Sequence, residues 1–258
     1  MTVPFDRLQH LVRVPVQLGG DDYFFLVDTG IGVTVVSSAI AERADVTPTP
    51  EFMTGQRMSG QEIRAPLVRL PRLSVDNHEA DGILACVADF GDGFAGIIGP
   101  DFYAGRTPVV DSDAMTLTFG DAATAVGYEI PLECKREGYA VSAFATVVLP
   151  SGREVTVEVD TGSDSLILDT RFAADCGVDL DGPGVTTKTG TDETGYHWTR
   201  RWATVDGSVH LTAAPQTAQG APQVMFQDII YDGLIGTDYL NRYRFTIDFD
   251  GSRMFLQD

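Results

Sequence analysis

Phe24-Phe25-Leu26-Val27-Asp28-Thr29-Gly30 is an apolar run that ends in an Asp-Thr-Gly triplet, and the chain writes it twice. The second copy is Val155-Thr156-Val157-Glu158-Val159-Asp160-Thr161-Gly162. Each triplet leads into another short apolar run, Thr34-Val35-Val36 in the first copy and Ser165-Leu166-Ile167-Leu168 in the second. Ser37 or Ser38, and Asp169 or Thr170, then offer the side chains that cap a short helix. Further along, Gly96-Ile97-Ile98-Gly99-Pro100-Asp101 is echoed by Gly233-Leu234-Ile235-Gly236-Thr237-Asp238, and Val109-Val110-Asp111 by Thr246-Ile247-Asp248. The Asp residues are 132 positions apart (28 to 160) and the glycine motifs 137 (96 to 233), so a small insertion lies between them in the second copy. Three matched elements in one order indicate an internal duplication.

Between these landmarks the chain alternates apolar and polar residues over short stretches bounded by Gly, Pro and Asp. Val14–Leu18, Val68–Leu70 and Ala145–Leu149 read as strands, and 205–209 as a turn entering one. The expected fold class is all-β, two pseudo-twofold-related β-barrel lobes with a few short helices. The lobes are placed at 1–125 and 126–258, with a linker near 121–133.

Composition narrows the functions. The 258 residues carry a net charge of −19, and no basic run offsets it, so a phosphate backbone is an unfavourable partner. The most apolar stretch, 24–41, is interrupted by Asp28 and two glycines, and no membrane partner is expected. The start, Met1-Thr2-Val3-Pro4-Phe5-Asp6, has no basic segment followed by an apolar run, so no secretory signal is expected. Cys86, Cys134 and Cys176 are scattered and odd in number, which fits free thiols in a reducing cytoplasm better than a disulfide framework. His10, His78, His197 and His210 show no metal-ligand spacing; neither metal nor cofactor is expected.

An apolar-apolar-Asp-Thr-Gly segment followed in the same lobe by apolar-apolar-Gly resembles the aspartic peptidases of the pepsin and retropepsin group. The matching residues are Asp28-Thr29-Gly30 with Ile97-Ile98-Gly99, and Asp160-Thr161-Gly162 with Leu234-Ile235-Gly236. The lobe size is similar to that of retropepsin subunits fused in tandem, and the run after each triplet resembles bacterial retropepsin-like proteins. The basic propeptide of pepsin zymogens is absent from the start. The resemblance implies an aspartic endopeptidase with Asp28 and Asp160 as its catalytic pair. It also implies that Thr29 and Thr161 bond across the lobe interface.

The residue types suit that chemistry. Two carboxylates in contact cannot both ionise, so they share one proton and can act as base and acid together. Gly30 and Gly162 allow close backbone approach. Ser163 has the hydroxyl common in the family after the triplet; Ile31 does not. The expectation is therefore that Asp160 ionises more readily and Asp28 holds the proton.

Two hairpins are candidate flaps over the substrate. The first runs from Met53 to Pro66 with Met58, Ser59 and Gly60 at its tip. The second runs from Thr187 to Trp202, where Tyr196 and Trp198 are either substrate clamps or ordinary packed aromatics. The expected partner is a peptide or protein substrate, and a monomer suffices because one chain carries both triplets. Two alternatives stay open: the same acid–base pair working on a small molecule, or, with Ile31 as its clue, a catalytically impaired peptide-binding module.

Overall fold

A computed structural model describes residues 2–43, 45–103, 105–191 and 195–258. Strands dominate, and they form three sheets. Two curled ten-stranded sheets are built from residues 6–98 and 133–227 plus Gly233–Ile235, and their strand orders match position for position. In the first, Gly96–Ile98 runs parallel to Asp21–Val27 and antiparallel to Val35–Val36. In the second, Gly233–Ile235 has the same relation to Glu154–Val159 and Leu166–Asp169. The glycines that close these segments are required by packing. A Cβ on Gly99 would collide with the backbone of Val33 and Thr34, and one on Gly236 with the carbonyls of Ser163 and Ser165.

The third sheet has six strands and joins the halves. Its central pair is Thr107–Asp111 with Arg244–Asp248, antiparallel, with Val109 opposite Thr246 and Val110 opposite Phe245. The two echo segments of the sequence thus meet each other. Outward from that pair the sheet is matched on both sides, by Thr116–Gly120 and Thr2–Pro4 on one and Arg253–Gln257 and Tyr128–Pro131 on the other. Val110, Leu117, Phe245, Ile247, Met254 and Leu256 bury its inner face in the main core.

Short helices follow each triplet region. In the first lobe Ser38–Ala41 is α-helical, with Ser37 as the cap that accepts the Ile40 N–H. In the second the expected helix is two 3-10 turns, Thr170–Phe172 capped by Asp169 and Ala174–Cys176 ended by left-handed Gly177. His78 is a satisfied core histidine, donating to the Phe102 carbonyl at 2.8 Å. All three cysteines are free. No helix among the described residues is long and apolar enough to cross a membrane.

The central pair makes a direct forecast. Phe245→Ala should lower unfolding free energy by about 3–5 kcal/mol, the range for deleting a buried aromatic ring. Denaturant titration reads it, and a loss below about 1 kcal/mol would mean that this sheet does not hold the lobes together.

Candidate active site

Each Asp-Thr-Gly loop is a strand end held by its neighbour. The Asp28 N–H donates to the Ile98 carbonyl at 3.1 Å, and the Asp160 N–H to the Ile235 carbonyl at 3.1 Å. Continuing the parallel ladder by one bond places both aspartates where the chain must turn. The loops then meet. The Thr29 N–H donates to Thr161 Oγ1 and the Thr161 N–H to Thr29 Oγ1, both at 3.0 Å. The two hydroxyls donate onward, Thr29 to the Val159 carbonyl at 2.7 Å and Thr161 to the Val27 carbonyl at 3.3 Å. Both threonines are only 3% exposed.

This lock brings the Asp28 and Asp160 carboxyls into hydrogen-bonding contact. Each glycine lies against the opposite carboxyl: a Cβ on Gly30 would clash with Asp160, and one on Gly162 with Asp28. Neither glycine needs a left-handed backbone, so space is the reason for them.

Burial raises both aspartates above the ordinary carboxylate range, and Asp160 is raised the further. The hydrogen bond expected from Ser163 to its aspartate is not the one formed. The Ser163 hydroxyl donates to the Ser165 carbonyl at 3.3 Å instead. Asp28 accepts the Gly30 N–H at 2.8 Å, and the Ile31 and Gly162 N–H groups nearby also favour its anion. Asp160 accepts the Gly162 N–H at 2.8 Å and faces the charges of both Asp28 and Glu158. Each carboxyl thus accepts its own loop glycine N–H at the same distance, and both are raised by burial. The Ile31 side chain packs on Val33, Val35, Leu67 and Cys86 and lines a cavity, while its backbone N–H serves Asp28.

The first candidate flap is the hairpin of Thr47–Gln56 and Glu62–Arg69, longer than the sequence suggested. Its tip closes with the Arg57 N–H to the Gln61 carbonyl and with Gly60 at φ +82°. Met58 packs on Ile167, Met225, Ile229 and Leu234 of the other half, and its carbonyl accepts the Ile230 N–H at 2.9 Å. The Ser59 hydroxyl stays within the tip, donating to Gln61. The second hairpin pairs Thr186–Thr191 with His197–Thr204; its tip, 192–194, lies outside the described residues. Trp198 covers Gly190, its cross-strand partner, and Arg200 stacks on its ring at 4.5 Å. Tyr196 is half-buried beside the tip.

Two cavities adjoin the pair. One, of about 420 Å³, is lined by Gly30, Ile31 and flap strands on one side and Ser142, Phe144 and Tyr231 on the other. The second, of about 270 Å³, is lined by His10, Met58, Asp160, Gly162, Ser163 and Arg200 among others. Among the described residues no cluster of His, Cys, Asp and Glu is arranged to hold a metal.

Three neighbours escaped sequence reasoning. His10 donates Nε2–H to the Gly162 carbonyl at 2.9 Å. Asp101 accepts both the N–H and the hydroxyl of Thr34 at 2.8 Å, and burial pushes it up to about 6. Glu158 is 3% exposed, and burial pushes it up to about 7. Two of them left a sequence signal: Asp101 is matched by Asp238 in the second copy, and Glu158 interrupts an apolar run at the position that Leu26 holds in the first.

Two outcomes follow for stability. Thr29→Val and Thr161→Val should each cost about 1–3 kcal/mol by leaving buried N–H and carbonyl groups unpaired. Because they share bonds, the double variant should cost clearly less than the sum, and strict additivity in a denaturation cycle would refute the lock. Glu158 keeps its proton to about pH 7 when folded, against an ordinary 4.5. Stability therefore falls as pH rises through that window, by about 3 kcal/mol at full ionisation. Glu158→Gln should flatten the melting temperature across the window and melt above the parent beyond it; parallel curves would contradict this.

Similarity to known proteins agrees with this geometry. Residues 14–102 match the aspartyl protease family. No curated protein matches the sequence. Among solved structures, the crystal structure of aspartic proteinase from Irpex lacteus superposes with a TM-score of 0.58 at 14% identity, covering 98% of this chain and 96% of that one. Residues 14–102 are thus similar in sequence to aspartyl proteases, and the whole chain has the two-lobed fold of an aspartic proteinase.

Proposed function

We propose that the protein is an aspartic endopeptidase in which Asp28 and Asp160 activate water against a peptide bond. The observation that carries this reading is the contact of two buried carboxyls across a threonine-locked junction of two loops. Such a pair, as aspartic proteases illustrate as a class, divides one proton between base and acid. Asp28, as the anion in this scheme, takes a proton from water as the water oxygen attacks the carbonyl carbon. Asp160 delivers its own proton to the carbonyl oxygen. Asp28 then passes its proton to the leaving nitrogen as the carbon–nitrogen bond breaks, and the diol's proton returns to Asp160. Gly30, Ile31 and Gly162 hold the base side through their N–H groups, while Thr29 and Thr161 fix the loops; Ser163 supports its own loop. An apolar Ile31 side chain does not remove a donor from Asp28, which weakens the case for an impaired, binding-only module.

The substrate in this reading is an extended peptide, lying against the flap and pairing its backbone with a strand edge. Met58, Ser59 and Gly60 cover it from the first hairpin, with Tyr196 and Trp198 at the second. Cavities on both sides of the Met58 bridge favour a chain over a compact small molecule. The lobes divide near residue 125, and one copy of the chain is sufficient.

A panel of quenched unstructured peptides tests this. Asp28→Asn and Asp160→Asn should each reduce kcat/KM at least about 1,000-fold, a loss on the scale of removing one essential partner of an acid–base unit. A statine-type transition-state mimic such as pepstatin should inhibit the parent. Activity that survives either substitution would rule the reading out.

A further inference from the structure

Arg200 is a cation that the proposed reaction does not use, and it stands beside the aspartate pair. It belongs to the second hairpin, in the strand His197–Thr204, and lines the cavity of about 270 Å³ together with Asp160, Gly162 and Ser163. Strand alternation puts Trp198, Arg200 and Trp202 on one face. Trp202 packs with Met58 on the cluster of Ile167, Met225, Ile229 and Leu234, so that face looks toward the first flap.

The duplicated frame shows what a neutral residue would do there. Trp202 lies opposite Met225, which pairs with Ile167; in the first lobe Leu67 lies opposite Cys86, which pairs with Val35. Ile167 and Val35 stand at the same distance after their aspartates (160 to 167 and 28 to 35). Two residues before Trp202 and Leu67, Arg200 therefore matches Ala65. Ala65 packs on the apolar cluster of Val33, Val35, Leu67 and Cys86. The second lobe places a charge where the first completes an apolar wall.

The guanidinium is held on two sides. Its carbon lies 4.5 Å from the centre of the Trp198 ring, and Nε donates to Gln227 Oε1 at 2.9 Å. Gln227 is only 3% exposed, which fixes the direction of that bond. Arg153 and Arg171 also lie over an aromatic ring, and each pairs with an aspartate. Arg200 has no ion-pair partner among the described residues, although the chain holds 37 acidic residues against 18 basic ones. Asp164 lines the same cavity, but its carboxylate takes the Ser165 hydroxyl at 2.7 Å and makes no ion pair with Arg200. With Nε engaged, the two terminal nitrogens are left for a ligand. That edge of a guanidinium matches a carboxylate through two parallel bonds. Met58, Ile167 and Met225 line the cavity beside it, and a pair formed against apolar walls is screened less than one in water.

We infer that the cavity beside Asp160 receives an aspartate or glutamate side chain of the substrate and that Arg200 selects it. The subsite rests on the peptidase reading for its substrate, while the open guanidinium edge stands on its own residues. The chain's net charge of −19 repels an acidic peptide at a distance, so selection comes from contact and not from steering. A glutamine in the same place brings no charge and leaves the guanidinium without a counter-ion. A site built around a polar group rejects an analogue that lacks its partner in this way.

The test compares two peptides that differ only in glutamate against glutamine beside the scissile bond, each flank in turn. At the flank that fills the cavity, the parent should prefer glutamate by about 10–100-fold in kcat/KM, the range of one charge-assisted pair. Arg200→Gln should reduce that ratio to near one, and Arg200→Lys should keep part of it. Arg200→Ala, which restores the first lobe's residue, is the second neutral variant, and melting curves report that both fold. Arg200→Glu should turn the preference round, so that a lysine peptide is cut faster than the glutamate one. Calorimetry on Asp28→Asn, a change outside the lining of this cavity, gives a reading without turnover. That variant should bind the glutamate peptide at least about 10-fold more tightly than the glutamine peptide, and adding Arg200→Gln should abolish the difference. Equal cleavage of the two peptides at both flanks, or a glutamate preference that survives Arg200→Gln, overturns the acidic subsite and leaves the peptidase reading intact. An Arg200-dependent glutamate preference in binding, with no cleavage by the parent, supports the subsite and overturns the peptidase reading. Neither cleavage nor binding of either peptide overturns both.

Discussion

Thr29 and Thr161 hold each other's backbone N–H, and everything at the centre of this molecule depends on that exchange. Two carboxyls brought out of water repel when ionised, and each loses hydration. Left free, the loops would part and let the aspartates reach solvent. Four hydrogen bonds among the threonines, Val27 and Val159 prevent this, inside a junction where both threonines are nearly inaccessible. The central sheet, with Val109 and Val110 paired to Thr246 and Phe245, keeps the lobes at the separation that the lock requires.

Within that symmetric frame the two halves have diverged around the aspartates. The first loop gives its aspartate the Gly30 N–H, with that of Ile31 nearby. The second places its aspartate beside another buried acid. In the proposed reaction one carboxyl serves as anion and the other as proton holder, the division of labour an acid–base pair needs. The first hairpin crosses to the opposite half through Met58, whereas Trp198 of the second lies over Gly190 of its own hairpin.

Much of the architecture was legible in residue order. The duplication, the strand–triplet–strand sequence and the turn at Met58–Gln61 rest on apolar periodicity and on residues such as Gly60 whose backbone preferences are local. The capping of Ser38–Ala41 by Ser37 is of the same kind. The second capping site was equally visible, but the length of helix that followed was not, because 3-10 and α turns begin alike.

What the sequence by itself determined is the doubled frame: two strand-and-loop units, each ending in an aspartate followed by a residue without a side chain. Only the tertiary structure decided that the echo strands pair with each other, that the Ser163 hydroxyl turns to Ser165, that both aspartates are raised by burial, and that Glu158 is buried near Asp160. The reason is physical. Turn and strand preferences act over a few neighbouring residues, whereas the state of a carboxyl is set by desolvation and by charges that reach it from the other half of the chain.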